Sequence, residues 1–245
     1  MSGGGHSPMQ QFEVHAKVPL SIAGLDISYT NASLWMSLTV LAIMAFFGLG
    51  LRRRALVPGR FQALTELSYE FVAGMLKDTV GVQGRQYFPF VFTLFIFILG
   101  CNLLGMLPYS FTVTSHIIVT FALALTVFIG VTVIGFMRHG LHYLKLFVPE
   151  GLPMWMAPLM VFIEIISYLA RPVTLSVRLA ANMMAGHTML KVLAGFVLAM
   201  GWTLGWIPMV FLVVLSGFEI FVAVLQAYIF TILVCVYLND AVHLH

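Results

Sequence analysis

Charge is the scarcest feature of this chain. Only 9% of its 245 residues are Asp, Glu, Lys or Arg, while 61% are hydrophobic. Soluble domains carry about 25% charged residues, so the scarcity excludes a soluble domain and leaves an integral membrane protein. Cysteine is scarcer still: Cys101 and Cys235 both lie in apolar stretches. That usage predicts buried free thiols, not a disulfide framework. A net charge of +3 is too weak to suggest a nucleic-acid partner. Residues 1–32 hold no basic start followed by an apolar core, which predicts no cleavable signal peptide. Internal repeats and low-complexity tracts are missing as well.

What is abundant is apolar helix. Residues 1–32 form a mixed polar arm with Pro8 and Pro19. Residues 33–51 carry no charge and are long enough to cross a bilayer, and they stop at Arg52-Arg53-Arg54. Residues 60–80 put Phe61, Leu64, Phe71 and Met75 at helical spacing beside Glu66, Glu70, Lys77 and Asp78, which predicts an amphipathic interfacial helix. Residues 88–137 contain two spans, divided by Pro108 and the polar run Ser110–Ser115. The loop from Arg52 to Arg85 holds six Lys/Arg, the 138–150 loop two and the 108–115 turn none. By the positive-inside rule the basic loops face the cytoplasm and the N-terminal arm lies outside.

Residues 153–245 read as a hairpin of two overlong helices, with a turn over Gly201–Pro208 and a cytoplasmic C-terminus. The first arm, Met154–Met200, would run roughly 70 Å if continuous, so a kink at Pro172 or a steep tilt is expected. The expected fold class is therefore all-α and membrane-integral, with about five crossing helices and a long, steeply tilted C-terminal hairpin.

Arg178 sits in the middle of this apolar sequence. Inserting a guanidinium there costs roughly 2.5–3.5 kcal/mol, and it cannot shed its proton. Glu164, Arg171 and Arg178 recur every seven residues, and Asn182 follows Arg178 by four. One face of this helix is thus polar, with His187 on the opposite face. In the last helix Glu219, Gln226 and Tyr237 share a face. Folding the hairpin about residue 203 brings His187 opposite Glu219 in the outer half of the membrane. It brings Arg178 within a turn of Gln226 and leaves Glu164 near Tyr237 in the inner half. Titratable groups then lie on two levels with a fixed positive charge between them, an arrangement suited to passing protons and holding a carboxylate. Arg171 either assists Arg178 or binds Glu164. Asn102 either bonds another helix or lines an access path, and His116 stands at the outer end of a span.

Three stretches carry a family resemblance: Asn102 to Thr112, Arg178 to His187, and Leu225 to Phe230. From about residue 30 onward the chain resembles the a subunit of F-type rotary ATP synthases. The resemblance implies a stator that passes protons through two offset half-channels to a rotating ring of c subunits. Each c subunit would carry one membrane carboxylate. It assigns the essential arginine to Arg178, its partner on the next helix to Gln226, and the outer half-channel to His187 and Glu219. It further implies b-type peripheral-stalk subunits and the rest of the synthase as partners, membrane lipid around the chain, and a bacterial inner-membrane location. No cofactor, metal or catalysis by this chain alone is implied. Placing the histidine on the earlier helix and the acid on the later one resembles mitochondrial and alphaproteobacterial members. Two other classes fit less well: an intramembrane haem or metal redox protein needs clustered ligands and a secondary transporter commonly shows inverted repeats, and the sequence shows neither.

Overall fold

The computed structural model describes residues 16–18, 21–22, 25–26, 28–52, 58–107, 110–147 and 157–243. Most of the arm 1–32, Arg53-Arg54, Pro108 and the first residues of the expected hairpin lie outside them. Two short antiparallel ladders precede the helices. β1 (Ala16–Val18) pairs with β4 (Tyr29–Thr30), and β2 (Ser21–Ile22) pairs with β3 (Leu25–Asp26). Six α-helices follow: α1 (Asn31–Leu51), α2 (Arg60–Val80), α3 (Phe88–Gly105), α4 (Ile117–His139), α5 (Ala157–Leu204) and α6 (Trp206–Val242). Five helices are long and apolar enough to cross a membrane. The chain is an all-α multi-pass membrane protein.

Local chemistry sets the helix ends. Thr30 caps α1, its hydroxyl accepting from the Ser33 amide at 3.3 Å. α2 is two-faced: Val72, Met75, Leu76 and Val80 are buried, while Glu66, Glu70, Lys77 and Asp78 are exposed. α5 stays helical through Pro172. That residue has no N–H to give the preceding turn, and Thr174 bonds the carbonyls of Ala170 and Arg171 there. The turn between α5 and α6 is shorter than Gly201–Pro208. Gly201 breaks the helix with φ +61° and ψ −162°, a conformation open to glycine alone. Gly205 then donates to the Gly201 carbonyl at 3.0 Å, and α6 has begun by Trp206. Pro208 falls in its first turn, where a missing N–H breaks no hydrogen bond.

The described residues divide into two compact units. The first holds α1, the end of α3, α5 from Leu179 and α6 to Ala227. Ile98, Cys101, Asn102, Met183 and Ala223 are buried in it. The second holds α2, the start of α3, α4, α5 to Arg178 and the end of α6. Val72, Val91, Tyr143, Leu175, Phe230 and Val234 are buried there. Both cysteines are buried free thiols, as their apolar settings predicted.

Candidate functional site

In the first unit five expected site residues come together. His187 Nε2 lies 3.8 Å from Glu219 Oε1. Both groups are deeply placed, with side-chain exposures of 12% and 7%. The hairpin register inferred from sequence therefore holds at this level. One helical step further in, Asn182 donates to Gln226 Oε1 at 3.0 Å. Gln226 is 1% exposed, so it reaches the open face of α5 only through Asn182. Asn102, fully buried in α3, donates to the Ala223 carbonyl of α6 at 3.1 Å, one turn beyond Glu219. Of its two sequence readings, helix-to-helix bonding is the one its geometry displays.

Thr112 is a member of this group that sequence reasoning gave no role. After α3 the chain folds back beneath the helix end, and Ser110 Oγ and Thr112 Oγ1 both reach the Gly105 carbonyl, at 2.6 and 3.2 Å. This satisfies an orphan carbonyl of the last turn. Thr112 Oγ1 also lies 3.1 Å from His187 Nε2. A hydroxyl has one proton and two lone pairs. While Thr112 gives its proton to Gly105, it accepts N–H from His187 Nε2. If it turns the proton toward His187, Nε2 becomes the acceptor. The hydroxyl therefore suits either tautomer, and in the first orientation it suits the protonated ring.

Several polar atoms here have no hydrogen-bond partner among the described residues. Both carboxylate oxygens of Glu219, Asn102 Oδ1 and Gln226 Nε2 are buried without a hydrogen bond. Buried polar groups are stable when protein or water serves them, so this is a place where water is favoured over hydrocarbon. A cavity of about 210 Å³ opens here, lined by Asn182, Gly186, Met189, Phe218, Glu219 and Val222 among others. Gly186 keeps it open, since a Cβ on Gly186 would fall 2.6 Å from Glu219 Oε1. His116, at the start of α4, stacks on Phe111 with ring centroids 4.9 Å apart, and burial holds its imidazole below the ordinary pKa.

The second unit carries three of the charged residues of α5, Glu164, Arg171 and Arg178, while Lys191 lies in the first. Arg178 is exposed and makes no hydrogen bond or ion pair among the described residues. The alternative pairing of Arg171 with Glu164 is not what forms. Arg171 instead donates to Asp240 at 3.0 Å, its guanidinium 5.3 Å from the Tyr168 ring and 4.8 Å from the Tyr237 ring. Two turns of helix separate positions 164 and 171 by roughly 10 Å, whereas α6 brings a carboxylate directly alongside. Tyr237 thus lies against Arg171, and Glu164 is half-buried and unpaired among the described residues. Tyr168 also bonds Thr132 at 2.7 Å and Tyr143 at 3.1 Å, fixing its ring beneath Arg171.

Among the exposed positions of α5, Thr174, Arg178, Ala181, Asn182, Ala185 and Met189 fall on one stripe. The profile of a known family, described as ATP synthase A chain, matches residues 33–239. The chain is 59% identical over 240 residues to "ATP synthase subunit a" of Pelagibacter ubique (strain HTCC1062), covering 98% of each sequence.

Proposed function

The chain belongs to the ATP synthase A chain family, the stationary proton-channel component of the F-type synthase, and on that premise we propose how its residues divide the work. Arg178 carries the reading. It is a permanent cation in the middle of a span, on an open helix face, with no hydrogen bond or ion pair among the described residues. The partner that balances it best is a carboxylate from another subunit, one carried past it on a ring of c subunits.

Protons enter from outside through the wet cavity. Glu219 and His187 exchange them with water, and Thr112 follows the state of the histidine. The proton then neutralises a ring carboxylate, which can turn into lipid at low cost where its charged form cannot. On the inner side Glu164, Tyr237 and the Arg171–Asp240 pair mark the exit. The bare carboxylate is next held by Arg178, which bars a direct leak. Each charge crossing 100 mV supplies ~2.3 kcal/mol, so several steps are combined for each ATP. The chain itself performs no catalysis. It sits in a bacterial inner membrane with its N-terminus outside and its C-terminus in the cytoplasm, alongside b-type stalk subunits. No observation favours the redox or secondary-transporter alternative.

The contact face is tested by crosslinking. Cysteines replacing Ala181 or Ala185 on the exposed stripe are expected to link to cysteines beside the ring carboxylate in the intact complex. Cysteines at buried Met183 or Ala180 are expected to stay silent. Links from the buried positions alone would reverse the face.

Gly186→Ala tests the cavity. Its methyl group must push the Glu219 carboxylate aside. A 1 Å misplacement of a reacting group costs on the order of 100-fold, so proton flux in vesicles is expected to fall at least ~10-fold. Alanine is the better helix former by about 0.5–1 kcal/mol, so thermal stability is expected to hold or rise. Unchanged flux would remove Glu219 from the path.

A further inference from the structure

A second recess lies away from the proton path. It has a volume of about 360 Å³ and opens within the second unit between α2, the 3₁₀ turn Val82–Tyr87 and the first residue of α3. Gly81 makes the sharp bend between them with φ +77°. Lys77 and Arg85 line this recess, and no acidic side chain does. Glu70 and Asp78 are nearby in sequence but lie outside the lining. Neither Lys77 nor Arg85 makes an ion pair or side-chain hydrogen bond among the described residues. Tyr69 supplies the one neutral polar side chain, and its ring meets Phe88 at 4.6 Å to form a wall. Val82, also in the lining, is 84% exposed.

We propose that this recess binds the headgroup phosphate of an anionic phospholipid, with Lys77 and Arg85 on the phosphate and Val82 and Phe88 against the start of an acyl chain. Two cations without a protein counter-charge ask for an anion. The apolar walls add nothing to the binding of free phosphate, but they match a molecule that is charged at one end and oily at the other. The location agrees: α2 is the amphipathic helix that follows the basic stop of α1, and α3 enters the membrane immediately beyond the recess. Basic residues next to a span attract the anionic lipids of the cytoplasmic leaflet. A headgroup fits a recess of this size, whereas an acidic helix from another subunit does not.

The test uses the intact complex in phosphatidylcholine vesicles carrying a trace of photoreactive phosphatidylglycerol. Adducts are expected on peptides spanning residues 69–88. Unlabelled phosphatidylglycerol should compete for them, and phosphatidylcholine or inorganic phosphate should not. Each surface cation is worth roughly 5-fold in affinity, so Lys77→Gln with Arg85→Gln is expected to lower capture about 30-fold. Exchanging the two cations, Lys77→Arg with Arg85→Lys, should keep capture near the parent level. If the neutral variant fails to assemble, the competition and the charge-keeping variant decide the matter. Equal capture by the neutral variant, competition by inorganic phosphate, or crosslinking of this segment to another subunit in place of lipid would each overturn the proposal. Proton pumping in the same vesicles reports on Arg178 separately, so failure here leaves the channel reading intact.

Discussion

Arg178→Ala is expected to reduce ATP-driven proton pumping by on the order of 100-fold while the complex still assembles. The magnitude comes from the membrane. A bare carboxylate brought to mid-bilayer without a counter-charge is disfavoured by roughly 3 kcal/mol, and every ring carboxylate must pass through that state. Arg178 makes no hydrogen bond or ion pair among the described residues, so its loss should show in flux and not in assembly. Lysine is expected to restore only part of the activity. Its ammonium is a point charge that can be neutralised when buried, whereas guanidinium keeps its charge and presents a planar fork. Inverted vesicles and a pH-sensitive dye measure all three forms. Robust pumping by the alanine variant would remove the central claim.

Exchanging His187 and Glu219 should restore what either single change destroys. His187→Glu places two carboxylates together at largely buried positions, where one is forced to stay protonated. Glu219→His places two imidazoles there and removes the acid. Each single variant is expected to lose roughly 10- to 100-fold in flux, a range typical of losing a positioned proton-transfer group. The double variant again holds one acid and one base across the 3.8 Å gap, and should exceed the worse single variant by about 10-fold. Losses that simply multiply would mean the two residues act independently. Thr112 sets a limit on this rescue, because of the two exchanged positions its hydroxyl bonds only 187. A glutamate there can accept from Thr112 but can donate to it only when protonated.

Much of this was legible in the sequence because membrane helices obey simple rules. Length and charge scarcity gave the spans, and heptad spacing with an antiparallel fold gave the His187–Glu219 meeting. Cross-helix partners outside those periodic stripes were less visible. Asp240 lies past the apolar run of α6, where acidic residues are commonly solvated, so its pairing with Arg171 left no periodic signal. Thr112 belongs to an irregular segment whose path depends on how α3 ends. The turn over Gly201–Pro208 was legible from its two glycines and its proline, but not its shortness, with the break at Gly201 and α6 begun by Trp206. Heptad spacing puts Gln226 on one face with Glu219, yet only packing shows that it is buried against Asn182.

The short turn at Gly201 bears on how this chain can change over generations. Surface loops ordinarily absorb insertions and deletions freely. Here the turn sets the phase of α6 against α5. One added residue would rotate α6 by roughly 100° and shift it by about 1.5 Å. Glu219 would swing away from His187 and Gln226 from Asn182 in a single event. Lineages can therefore trade the chemical identity of the paired residues across the hairpin, but they cannot readily alter the number of residues that joins its arms.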